Sequence, residues 1–80
     1  MSRERRAYVV FGFGSTHDAL SAEALLEDMG IEVVTIPAPA SIGTRCGIAL
    51  RMPPEQSERA QRYLENAGLE LAAKVEIRDF

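Results

Sequence analysis

A single cysteine, Cys46, and a single histidine, His17, are the residues of this 80-residue chain best suited to covalent or proton-transfer chemistry. Cys46 is the stronger nucleophile. It stands between Arg45 and Gly47, where a polar loop gives way to an apolar run. An adjacent guanidinium favours a thiolate over a thiol, and the Gly47 N–H is placed to hydrogen-bond a sulfur anion. Gly47 has no side chain, which leaves room for a bulky acceptor. The position has a second reading. Cys46 is in phase with Ile48 and Leu50 on alternate residues, and free cysteines are often small buried hydrophobes. One cysteine gives neither an internal disulfide nor a CxxC pair. It is also too few thiolates for a zinc or iron–sulfur site within one chain. No cofactor and no metal centre is expected, and metal handling would need the thiolate of a second copy.

The residues before Cys46 add polar groups. Ser41 and Thr44 supply hydroxyls, and the N–H groups of Ile42, Gly43 and Thr44 suit an anion nest, although an ordinary polar loop has the same composition. His17 lies in GFGSTHD, residues 12–18, where glycines follow a strand-like run and precede a helix-like one. Such a helix end attracts anions. The segment has no G-x-G-x-x-G and no Walker lysine, so a nucleotide site is not expected. His17 reads as a base for the thiolate, as a cap, or as a solvent-facing residue of the first turn. Phe11 and Phe13 alternate as base-stacking aromatics do, but no matching pair occurs in the third strand-like run. Nine basic residues against twelve acidic give a net charge of −3, which disfavours a nucleic-acid partner.

These residues need a scaffold, and its punctuation is legible. Residues 1–6 form a charged arm, and AYVVFGF (7–13) is strand-like by its β-branched and aromatic content. Ser15 or Thr16 caps a helix whose apolar stripe is Ala19, Ala22, Leu26 and Met29, and Gly30 stops it. IEVVTI (31–36) is a second strand, ended by Pro37 and Pro39. Residues 37–47 are a Gly/Pro loop carrying Cys46, long enough to suggest function. Its Pro37-Ala38-Pro39 segment is stiff and suited to aiming the loop back across the sheet. GIALRM (47–52) is a third strand, and Pro54 opens a second helix with the stripe Ala60, Tyr63, Leu64 and Ala67 before Gly68. Residues 69–77 alternate as a half-exposed fourth strand.

The order β-α-β-β-α-β within one 80-residue domain closes most simply as a ferredoxin-like α+β fold. That fold has a four-stranded antiparallel sheet with two helices on one face. The other face, expected to carry Tyr8 and Val10 or their neighbours together with Ala49, Arg51, Lys74 and Glu76 according to the phase of the pleat, offers a surface for a homodimer. No apolar run approaches the roughly 18 residues of a membrane span and no signal-peptide pattern opens the chain, so a cytoplasmic protein without a membrane partner is expected.

Three separated motifs then carry a likeness: FGSTHDALSAEALLEDMGI, VVTIPAPASI and CGIALRM. Through Ser15-Thr16-His17-Asp18-Ala19, Ala22-Glu23, Leu25-Leu26, Ile36-Pro37, Pro39, Cys46-Gly47, Ala49 and Leu50, the chain resembles the selenium/sulfur carrier protein-like family of small bacterial and archaeal proteins. The resemblance spans Tyr8 to about Ile77. It implies that Cys46 is the carrier residue and Gly47 its obligatory neighbour, with Arg45 standing where a small residue is expected. The implied task is that of a carrier rather than a turnover enzyme. Cys46 would hold sulfur or selenium as a persulfide or selenenylsulfide between a donor and an acceptor protein. Arg45 and the loop N–H groups would stabilise the terminal anion, and His17 would approach across the sheet edge. This reading demands an accessible thiol. The alternative is a non-catalytic ferredoxin-like module that binds a small ligand or regulates, in which Cys46→Ser keeps function.

Overall fold

The computed structural model describes residues 6–40, 42–43 and 46–79. The elements are β1 (Arg6–Gly12), α1 (Thr16–Asp28), β2 (Val34–Pro37), β3 (Ile48–Met52), α2 (Pro54–Asn66) and β4 (Ala73–Asp79). The strands form one antiparallel sheet in the order β2-β3-β1-β4, and the chain has the ferredoxin-like α+β fold.

Local chemistry sets the helix ends. Ser15 is extended and its Oγ accepts a hydrogen bond from the Asp18 N–H at 3.1 Å, so it is the N-cap of α1. Both helices end in the same Schellman arrangement. Gly30, with φ 82°, donates to the Glu27 carbonyl while Ile31 N–H reaches Leu26 at 2.9 Å. Gly68, with φ 77°, donates to Glu65 while Leu69 N–H reaches Leu64 at 2.9 Å. Only glycine takes that left-handed backbone without cost. Pro54 begins α2, where its missing N–H has no intrahelical use.

The helices cover one face of the sheet. Val9, Phe11, Leu50 and Met52 meet Ala19, Ala22, Leu26, Ala60 and Leu64 there, with Phe13 sealed beside them. Each large side chain removed from water contributes roughly 1.5–3 kcal/mol. Register places the complementary residues on the far face, because Val10 sits opposite Arg51 on one side and Val75 on the other. A second, smaller apolar cluster forms on this far face from Val10, Ala49 and Ile42, joined by Ile36 and Ala38. The chain after the Pro37-Ala38-Pro39 segment therefore does fold back over the sheet, and it covers part of the face expected to lie open.

Several boundaries differ from the sequence reading. Arg6 pairs with Asp79, so it belongs to β1 rather than to the arm; residues 1–5 lie outside those described. β2 begins at Val34 because the Ile31 N–H is committed to the cap of α1. Pro37 pairs with Ile48 at the end of an edge strand, a place that tolerates its missing donor, so the loop begins at Ala38. β4 starts only at Ala73, since Leu69 and Leu71 turn into the main cluster instead. The pleat of β4, which the sequence left open, is decided by its register against β1. Val75 and Ile77 lie on the far face, and Lys74 and Glu76 lie on the helix side, where Lys74 Nζ donates to Gln61 Oε1 of α2 at 3.0 Å. At the sheet edge, beyond the cover of α2, both charges stay exposed. Among the described residues, no helix is long and apolar enough to cross a membrane.

Candidate functional site

The end of β1, the start of α1, the end of β2 and the start of β3 meet at one end of the sheet, as the antiparallel registers require. Cys46 enters there, two residues before β3. Its Sγ donates to the Ile48 carbonyl at 3.1 Å and lies 3.9 Å from Thr16 Oγ1. The residue is 3% exposed and belongs to the main apolar cluster. The accessible thiol that the carrier reading demanded is thus a buried one. The physical reason is phase: Cys46 keeps the two-residue alternation of Leu50 and Met52, whose side chains face the helices. The reading of Cys46 as a small core residue describes its packing correctly.

The burial is shallow on one side. Thr16, the first residue of α1, is exposed, and its hydroxyl is the group beside the sulfur. The sulfur thus lies beside the N-terminus of α1. His17 does not join it. The imidazole is 89% exposed, with Nδ1 3.7 Å from Asp18 Oδ1. His17 is thus a solvent-facing residue of the first turn, one of the three readings the sequence offered, and Thr16 is the residue brought to the sulfur. Helical phase is the signal that separates the two, since neighbours on a helix project about 100° apart.

The loop is tied at its base. Ala38 N–H donates to the Gly47 carbonyl at 3.0 Å, and Ile42 N–H donates to Pro39 at 3.0 Å. Gly43 has φ 67° and is exposed, and Gly47 is exposed beside the sulfur. Ile42 is 9% exposed against Val10 and Ala49. Four residues apart in sequence, Ile42 and Cys46 are buried on opposite faces of the sheet. Ser41, Thr44 and Arg45, expected to support the thiol, lie outside the described residues. Farther along, Thr35 Oγ1 of β2 donates to Glu23 Oε2 of α1 at 2.6 Å, which fastens the edge strand to the helix whose N-terminus flanks the sulfur. Among the described residues, no group of three or more His, Cys, Asp or Glu could hold a metal ion.

The chain was compared with known proteins. A family model described as "Putative Se/S carrier protein-like" matches residues 8–76. No curated protein and no solved structure matches.

Proposed function

The chain belongs to the Se/S carrier protein-like family, and from that premise we propose that Cys46 takes up one sulfur or selenium atom and hands it on. The observation that carries the proposal is the position of the thiol. It lies at the positive end of α1, beneath the exposed Thr16 and beside the exposed Gly47. The thiolate attacks the outer sulfur of a donor persulfide, or the selenium of a donor selenenylsulfide. The donor's S–S or S–Se bond breaks and its own thiolate leaves with the electron pair. Cys46 then holds the atom as Cys–S–S⁻ or Cys–S–Se⁻. An acceptor nucleophile attacks that terminal atom and Cys46 thiolate departs, so no external oxidant or reductant is consumed. By sequence, Ser41, Gly43, Thr44 and Arg45 are the groups of the cysteine-bearing loop suited to steady the terminal anion. A reduced thiol suits the reducing cytoplasm.

Burial means that the sulfur is reached by local opening. The described ties to be released include the contact of Ile42 with Val10 and Ala49, the bond between Ala38 and Gly47, and the contacts of Cys46 Sγ with the Ile48 carbonyl and Thr16. The direct test is intact-mass analysis after incubation with a low-molecular-weight persulfide or with selenide and a disulfide. Wild type gains one sulfur or selenium and Cys46→Ala gains none. The burial of Cys46 also favours the second reading, a non-catalytic module in which the thiol only packs. Absence of any mass gain, in the wild type and also after the loop is loosened at Ile42, would establish that reading instead.

A further inference from the structure

The two edges of the sheet are not equivalent. β2 is four residues long and ends at Pro37, so it offers little backbone for another strand. β4 is seven residues long, carries no proline, and lies at the other edge. Edge strands are commonly protected by charge, and a run of one sign would repel a second copy. At the centre of this edge Lys74 and Glu76, one charge of each sign, stand symmetric about Val75 on the helix side, and Arg78 and Asp79 follow at the end of the strand. Antiparallel pairing of two such strands about a two-fold axis at Val75 sets Lys74 opposite Glu76 of the second copy, and Glu76 opposite its Lys74. On the far face the same register sets Val75 against Val75 and Ala73 against Ile77, which is 37% exposed in the single chain. Moving the axis by one residue sets Glu76 against Glu76. Moving it by two keeps one opposite-charge pairing, Glu76 with Arg78, but sets the apolar Val75 against Asp79.

We propose that β4 is the self-association edge of this protein, joining two copies antiparallel about Val75 into one eight-stranded sheet. The helix-side cleft between α2 and β4, lined by Val9, Pro54, Ser57, Lys74 and Glu76, adjoins this edge and gives the flanking side chains of the second copy room to settle. Edge-on association also leaves Ile42 in place on the far face, where face-to-face docking would meet the chain that already covers Val10 and Ala49. The proposal is independent of the role of Cys46.

The test uses charge reversal with rescue by mixing. Sedimentation equilibrium on wild type shows a dimer. Lys74→Glu alone sets like charges at both cross-strand pairs, and so does Glu76→Lys alone, each weakening the dimer by on the order of tenfold. An equimolar mixture of the two variants restores opposite charges at both pairs and recovers the dimer, as does the double exchange Lys74→Glu/Glu76→Lys. Circular dichroism checks that each variant is folded. A monomeric wild type overturns the proposal. So do single variants that associate like wild type, and a mixture that stays dissociated.

Discussion

Replacing Ile42 by alanine isolates the tie that holds the cysteine-bearing loop to the sheet. Ile42 is buried against Val10 and Ala49, and truncation removes three carbons at about 0.8 kcal/mol each. With slight residual exposure, the closed loop loses about 2 kcal/mol. At 1.4 kcal/mol per decade, the fraction of molecules with the loop open rises by roughly thirtyfold. The assay is alkylation of Cys46 by iodoacetamide in native buffer, followed by intact mass. The rate should rise by about that factor in Ile42→Ala and stay nearly flat on adding low guanidinium, because local opening exposes little surface. Leu64→Ala is the contrast. It removes a sealed core side chain, costs about 2–5 kcal/mol, and should speed labelling only through global unfolding, with the full denaturant slope. Alkylation of Ile42→Ala at the wild-type rate, or with the slope of Leu64→Ala, would refute the gate.

Two further substitutions test the scaffold. Ser15→Ala removes the acceptor for the Asp18 N–H and should cost about 1 kcal/mol, lowering Tm by about 4–8 °C in a thermal melt. Gly30→Ala meets no neighbour within 4 Å, so its cost is the left-handed backbone alone, about 1–2 kcal/mol by chemical denaturation.

Much of the scaffold was legible because its signals are local. Ser15, Gly30, Pro54 and Gly68 mark helix ends through chemistry that acts within one turn, and the apolar stripes Ala19-Ala22-Leu26 and Ala60-Leu64 fix the buried faces. The misplaced strand ends trace to competition for backbone donors and core space. Ile31 and Leu69 look like strand residues but serve as the closing residues of the two helix caps. The phase of β4 was not legible because β4 is an edge strand. Both its faces stay partly wet, so alternation of charge does not say which face meets the helices. At the site, Cys46 announced its chemistry by type and its packing by phase. The two pointed in opposite directions, and only the fold decided that the sulfur is covered. Thr16 went unread because its nearness to Cys46 joins residues thirty apart in sequence.

The burial of Cys46 carries a consequence for what other molecules would see. An atom added to that sulfur must be accommodated in a close-packed interior, and overfilling such a space costs about 1–3 kcal/mol. That strain is of the same size as the grip of Ile42 on the opposite side of the sheet. If Cys46 carries an atom, a laden molecule would relieve that strain by releasing Ile42 from Val10 and Ala49, and the load would show as a change of outline at the surface. Empty and laden forms would then differ in shape as well as in composition, and a recipient could tell them apart before touching the sulfur.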